Sequence, residues 1–323
     1  MVVGVAISAW SIWQLAQAVR PDEVGRHLGG ASWLLLALSF LSIPVSMLLK
    51  CVRWRYLFPQ QPAPGLRPLL AALYIGYLMN TVLPARIGEF ARAYLVGRDP
   101  RIGVPAVLAT IVVEKILDLL TLGVVLAGLV VFQQLPSLPG WLQVSAITSA
   151  AGLLGALVVL GIMLSLRKQV VRLAKLAEAR VPLLERVAVA ALASSFLDGL
   201  STLGRRQTLP GVVVWSAMVW ASSTVTMWLD LVGIGLYVST QAILFSLVVT
   251  NLGMAVPSAP GYIGVFHQLV VESLLPFGVD RDQALAAAIV MHAIVFGNFV
   301  VGGLWLLWRG GYSLRGLRDA SGH

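Results

Sequence analysis

The sequence predicts an all-α integral membrane protein with about six transmembrane helices and two re-entrant helical hairpins in an inverted repeat. Three observations lead there. Hydrophobic residues fill 58% of the 323 positions and charged residues only 11%, where soluble domains carry about a quarter charged; the mean hydropathy is +0.87. The apolar runs are longer than barrel strands, so helices must satisfy the backbone in hydrocarbon. Finally, Pro84-Ala85-Arg86-Ile87-Gly88-Glu89-Phe90 returns as Pro260-Gly261-Tyr262-Ile263-Gly264-Val265-Phe266 about 176 positions later, matching at Pro, Ile, Gly and Phe. Val107-Leu108-Ala109 and Ile111-Val112 fall opposite Ala284-Leu285-Ala286 and Ile289-Val290 at nearly the same offset. One membrane unit is therefore read twice, over about residues 31–132 and 210–308, within a single polytopic domain.

Val2–Val19 reads as a short first span. Met1–Val5 lacks the basic stretch that opens a cleavable signal peptide, so the Ala16-Gln17-Ala18 site is expected to stay uncut. A polar turn, Arg20–Gly30, leads to the second span, Ala31–Lys50. Beyond it, Lys50, Arg53 and Arg55 beside Trp54 and Tyr56 read as a cytoplasmic aromatic-basic belt. Leu66–Leu83 and Ile87–Val96 are each too short or too charged to cross about 30 Å comfortably. Pro84 breaks the run between them. They read as a hairpin that enters and leaves on one side, flanked by Arg67, Arg98 and Arg101. Gly103–Phe132 can cross with tilt, although Glu114, Lys115 and Asp118 interrupt it.

Gln133–Gly140 carries no charge, and Trp141–Leu166 returns to the basic side. Arg167–Pro210 holds eight basic residues against three acids. Residues 167–209 read as a cytoplasmic amphipathic linker lying on anionic headgroups. Gly211–Leu236 crosses outward with Asp230 near its far end. Gln241–Ala255 and Gly261–Leu275 form the second hairpin, hinged at Pro257-Ser258-Ala259-Pro260-Gly261. Asp282–Trp308 crosses back, before Arg309, Arg315 and Arg318. With both hairpins re-entrant, every short Arg-rich loop falls on one face. The positive-inside rule then places both termini in the cytoplasm at a bacterial inner membrane.

The formal charge of +9 belongs to these loops, so no nucleic-acid partner is expected. Cys51 stands alone, which excludes an intramolecular disulfide and a cysteine metal cluster; a packing role near a membrane interface is expected. No cofactor loop or catalytic triad pattern is present, and no cofactor, metal or enzymatic activity is expected.

Charges in such a chain are expensive and mark candidate sites. The first group is Asn80, Pro84, Arg86, Gly88, Glu89 and Arg92. The break frees backbone amides, and Arg86 and Arg92 suit a bidentate oxyanion. Glu89 either neutralises an arginine or carries a coupled proton. The plainer alternative is that Glu89 and Arg92, three apart, pair and anchor the hairpin. The second group is Glu114, Lys115 and Asp118. Glu114 and Asp118 share a helix face and serve either a transport site or a clasp for the hairpin's arginines. The third lies in the second half: Asn251, Pro257, Pro260, Gly261, Gly264, His267 and His292, with Asp230 and Glu272 beside them. The histidines are candidates to titrate near neutral pH, or are packed without function; two histidines with no third ligand make no zinc site.

Taken together, Asn80-x-x-x-Pro84-x-Arg86-x-Gly88-Glu89-x-x-Arg92, Glu114-Lys115-x-x-Asp118 and Pro257-x-x-Pro260-Gly261-x-Ile263-Gly264 resemble the flippase-like membrane region of lysylphosphatidylglycerol synthases. The resemblance covers nearly the whole chain. It implies movement of a lipid between leaflets: an aminoacylated phospholipid in the synthases, and glycolipids, hopanoids or polyprenyl-linked lipids in relatives. The soluble aminoacyl-transfer domain of two-domain synthases is not expected here, since the sequence stops at His323. The chain departs from the pattern at Tyr262, where a second glycine is frequent, at His267 for Glu, at His292 near an expected Arg, and at Lys115 for Arg. The expected partners are membrane lipids with an anionic or zwitterionic headgroup, with proton coupling as an option. An ion-coupled carrier of a small soluble solute, a non-transporting scaffold and a lipid-modifying enzyme remain the alternatives.

Overall fold

The computed structural model describes residues 8–14, 17, 20–58, 63–83, 87–99, 101–132, 155, 159, 161–163, 165–181, 189–203, 209–254 and 259–310. Pro84, Arg86, Pro257 and most of the expected spans Val2–Val19 and Trp141–Leu166 lie outside them. Among the described residues all regular structure is helical. In chain order the helices are α1 (Pro21–Gly29), α2 (Trp33–Tyr56), α3 (Leu66–Val82), α4 (Gly88–Gly97), α5 (Val104–Val131), α6 (Arg167–Arg180), α7 (Val189–Leu203), α8 (Leu209–Gly233), α9 (Thr240–Gly253), α10 (Val265–Leu274) and α11 (Arg281–Gly310). Three of them, α2, α8 and α11, are long and apolar enough to cross a membrane. The 28-residue α5 has the length as well but carries three charges in its middle turns. By contrast α4 and α10, ten residues each, reach only about 15 Å.

Local chemistry sets the helix ends. α1 opens on Pro21 with Asp22 and Glu23 in its first turn, where a fixed φ and negative charge both suit the N-terminus. α3 ends at Leu83, whose extended backbone (φ −107°, ψ 146°) is the conformation a following proline imposes. α9 is capped by Ser239, whose hydroxyl accepts from the Ala242 amide at 3.2 Å. Pro44 lies inside α2; lacking an N–H, it leaves the Phe40 carbonyl without its helical donor. Asn298 of α11 supplies one at 3.1 Å and accepts from the Tyr74 hydroxyl at 3.2 Å. One amide thus joins α2, α3 and α11.

Packing follows the same pattern in both halves. α2 lies along α8 for much of its length; α3 packs on α4 and α4 on α5, as α9 packs on α10 and α10 on α11. The short α1 before α2 rests on α11, and α7 before α8 rests on α5. The first-half core gathers Cys51, Trp54, Leu69, Leu73, Ala93 and Val107; that of the second half gathers Leu231, Phe266, Val270, Leu274, Ala284 and Ala288. Cys51 is fully buried, with its thiol against the Leu66 carbonyl, which is the packing role expected of it.

Two sequence readings need correction. Arg53 and Trp54 are not part of a belt. α2 runs on to Tyr56, and its last turn turns both side chains inward until neither is exposed, while Arg55 and Tyr56 face outward. The polar segment after residue 166 is not one surface helix either. α6 has no buried residue and exposes Leu173 and Leu176, as a surface-lying helix would. α7, however, packs against α5 and buries Leu197 completely, because its residues are mostly apolar.

Candidate functional site

The site assembles where α2, α3, α4 and α5 meet. The arms α3 and α4 approach unusually closely. A Cβ on Gly88 would stand 2.0 Å from the Gly76 carbonyl oxygen, and one on Gly76 would stand 2.5 Å from Arg92 Cγ. Glycine at both positions is therefore a steric requirement. Asn80 locks the turn: its Oδ1 accepts from the Gly88 amide at 2.8 Å and its Nδ2 donates to Glu89 Oε2 at 3.1 Å. Asn80, Gly88, Glu89 and Arg92 are thereby brought into one constellation.

Glu89 and Arg92 do not pair with each other. Arg92 turns into the core and forks onto Glu114, Nη2 to Oε2 at 2.6 Å and Nη1 to Oε1 at 3.3 Å. Its guanidinium lies 4.2 Å from the centre of the Trp54 ring, a cation–π contact that desolvation strengthens. The indole in turn donates to Thr110 at 2.9 Å. Glu89 points outward from this pair and meets Lys115 at 3.7 Å. One turn further along α5, Asp118 accepts from Arg53 at 2.7 Å. Lys50 donates to the Tyr77 hydroxyl at 3.2 Å, and Tyr77 stacks on Phe299 at 4.6 Å.

Buried charges demand such company. Arg92 and Glu114 are 3% and 2% exposed and Arg53 is not exposed at all; an unpaired ion at that depth costs several kcal/mol. Yet the pairing is incomplete. Among the described residues, Lys50, Arg53, Arg92 and Lys115 face only Glu89, Glu114 and Asp118. Nε and Nη2 of Arg53 and Nε of Arg92 find no hydrogen-bond partner among the described residues. The cluster is thus one positive charge in surplus and keeps three buried N–H nitrogens uncommitted. Chemically it fits an oxyanion.

The second break is built differently. Gly261 (φ 68°) and Gly264 (φ 84°) adopt left-handed backbone, and Tyr262 between them does too, at φ 58°. That conformation explains why a glycine at position 262 would be at home. The break lies beside the first: a Cβ on Gly261 would stand 3.3 Å from the Thr81 carbonyl at the end of α3. Helical residues 8–14 press on it from the other side, where Ser8 accepts from the Ala259 amide at 3.0 Å. His267 and His292 stack at 4.8 Å, and His292 stacks again on Phe296 at 4.1 Å. Among the described residues no group of three metal-ligating side chains forms. Among the described residues Asn251 donates back to Leu247 of its own helix at 2.8 Å. Glu272 binds Gln268 and Arg281. Pro260 opens the short 3-10 turn Pro260–Tyr262.

The residues of this cluster and of both breaks lie within a stretch, residues 1–302, that matches the lysylphosphatidylglycerol synthase TM region. The chain belongs to that family. As a member of the lysylphosphatidylglycerol synthase TM-region family, it is a multi-pass membrane protein. It is also similar to the Haloferax volcanii protein named Glycosyltransferase AglD, at 29% identity over 339 residues, covering 94% of this chain and 53% of the relative. The chain spans about half the length of the curated relative it matches. The family match covers Arg53 and Trp54, two residues of the cluster that sequence reasoning left outside it. Their signal was available: an Arg-Trp pair at the end of an apolar helix, in a chain where each intramembrane charge marks a candidate site.

Proposed function

We propose that this chain moves a phosphate-bearing lipid between the leaflets of a bacterial inner membrane. The observation that carries the reading is the surplus cation with its uncommitted guanidinium nitrogens, buried beside a broken helix. Arg53 and Arg92 would receive the headgroup phosphate, Arg86 joining them from the break, while Glu114 and Asp118 hold the guanidiniums in place between cargoes. Glu89, Glu114 and Asp118 are each already neutralised by a cation, so none is free to act as a general base. Transport therefore fits this cluster better than lipid chemistry.

The architecture that serves this role is six spans with two re-entrant hairpins in inverted halves, both termini cytoplasmic. Several features support it: the ten-residue arms α4 and α10, the contact between the two breaks, and the repeated packing order. Broken helices meeting near the midplane give a polar stepping point where hydrocarbon would otherwise exclude a headgroup.

The test uses the purified full chain in proteoliposomes with a fluorescent anionic phospholipid. Arg53→Lys keeps the charge opposite Asp118 but removes the planar fork. Translocation should fall about tenfold, the worth of one lost charge-assisted hydrogen bond, with melting temperature unchanged. Wild-type rates in both Arg53→Lys and Arg92→Lys would sink the assignment. Inorganic phosphate flux without lipid movement would favour the soluble-solute carrier instead. Single cysteines in a Cys51→Ala background test the hairpins: positions 65 and 99 should label from one face, and positions 239 and 278 from the other.

A further inference from the structure

Away from the charge cluster, one carboxyl is buried without any cation. Asp230 of α8 is 1% exposed, and among the described residues it forms no ion pair. Its partner is Ser39 of α2, whose hydroxyl donates to Asp230 Oδ1 at 2.6 Å. The contact continues down the seam between the two helices. Ser42 and Thr226 hydroxyls lie 2.6 Å apart, and Ser46 and Ser222 hydroxyls 2.9 Å apart. Ser39, Ser42, Ser46 and Lys50 occupy one stripe of α2, so the row of hydroxyls points from Asp230 toward Lys50, which bonds to Tyr77 at the edge of the charge cluster.

Other ionisable groups are committed elsewhere. α9 has none. On α11, His292 is stacked on His267 and Phe296, and Arg281 and Asp282 pair with Glu272 and Arg20. On α5, Glu114, Lys115 and Asp118 pair with Arg92, Glu89 and Arg53. A helix-packing role would need only the hydroxyls, which satisfy one another. A carboxyl added to that seam is a costly choice unless it binds something. The ligand must be a small cation, and the geometry excludes a bulky one: the oxygens already stand at hydrogen-bond distance from each other, with one side-chain ligand for the carboxyl rather than the shell a sodium ion would take.

We infer that Asp230, with Ser39 as its hydrogen-bond partner, is a proton-binding site in the α2–α8 seam. The inference goes beyond lipid recognition: it assigns the coupling ion and its place.

The experiment is infrared difference spectroscopy of the full chain in lipid nanodiscs, stepped in pH. Wild type should show a protonated-carboxyl C=O band that Asp230→Asn loses and Glu272→Gln, which alters a carboxyl outside the charge cluster, retains. Ser39→Ala should shift that band upward in frequency, because Oδ1 loses its donor. A band that survives Asp230→Asn overturns the inference. So does a band abolished by sodium chloride at fixed pH, which would make this a sodium site. Should Asp230→Asn fail to fold, Ser39→Ala decides alone, and an unshifted band overturns it. The spectrum needs no transported lipid, so its failure leaves the Arg53→Lys result standing, and the reverse holds too.

Discussion

The two broken hairpins have one outline and opposite chemistry. In the first, α3 and α4 close on Gly76 and Gly88 and surround Arg92, Glu114 and Lys115 with further charges. In the second, α9 and α10 close around Ser246 and Ser273, whose hydroxyls meet at 2.7 Å, and around the stacked rings of His267, His292, Phe296 and Phe266. The shared part is sequence that breaks a helix: a proline and, four residues on, a glycine, Pro84 and Gly88 in the first half and Pro260 and Gly264 in the second. The divergent part is what binds. A repeat can keep its hinge in both halves while building a buried charge cluster in one, since the hinge is set by local backbone and the charges by which partners face them.

The largest expected effect tests that contrast directly. Glu114→Gln leaves Arg92 buried without its counter-ion, and should cost about 3–5 kcal/mol of stability, seen as a collapse of the thermal transition in detergent. His292→Phe, at the matching place in the second half, should cost less than about 1.5 kcal/mol, since it exchanges one stacked ring for another of similar volume. Equal losses in the two variants would erase the distinction between a charged half and an aromatic half.

Glycine substitutions come next and should behave alike in both halves. Gly88→Ala drives a methyl to 2.0 Å from the Gly76 oxygen, and Gly264→Ala drives one to 2.6 Å from the Ser8 oxygen at φ 84°. Each should lower stability by about 1–3 kcal/mol, read from melting temperature; a tolerated Gly264→Ala would show that the second break is not held as the first is. Tyr262→Gly sharpens the comparison further. It removes a left-handed backbone cost of about 1–2 kcal/mol and a tilted ring contact with Phe296 at 6.2 Å, so the net shift should stay within about 1 kcal/mol.

The smallest effect lies in an exposed loop. Between α4 and α5, Arg101 binds Asp99 at 2.6 Å and holds its carboxyl below the ordinary 3.8, at about 2. A lowered folded value means the contribution is complete above about 3.8 and is lost as pH falls toward about 2. Arg101→Ala should therefore leave the melting temperature unchanged at pH 7, within error, because the pair is solvent-exposed and screened. A clear shift would mean that this loop supports the first hairpin.

Much of this protein was readable from order and composition. The helix breaks, the glycines that permit them and the depth of Glu114 follow from local backbone preference and from the hydropathy of the neighbours, both properties of nearby sequence. The partnerships did not follow. Glu89 and Arg92 stand at ideal helical spacing and still separate, each taking a partner from α5; Arg53 and Trp54 read as a solvent-edge belt and are fully buried. Which cation meets which carboxylate, and that Asp230 meets none among the described residues, depended on how α2 rotates against α5 and α8. That rotation is fixed by side chains distant in sequence, because the energy of a buried charge is decided by what faces it across the helix interface and hardly at all by its neighbours along the chain.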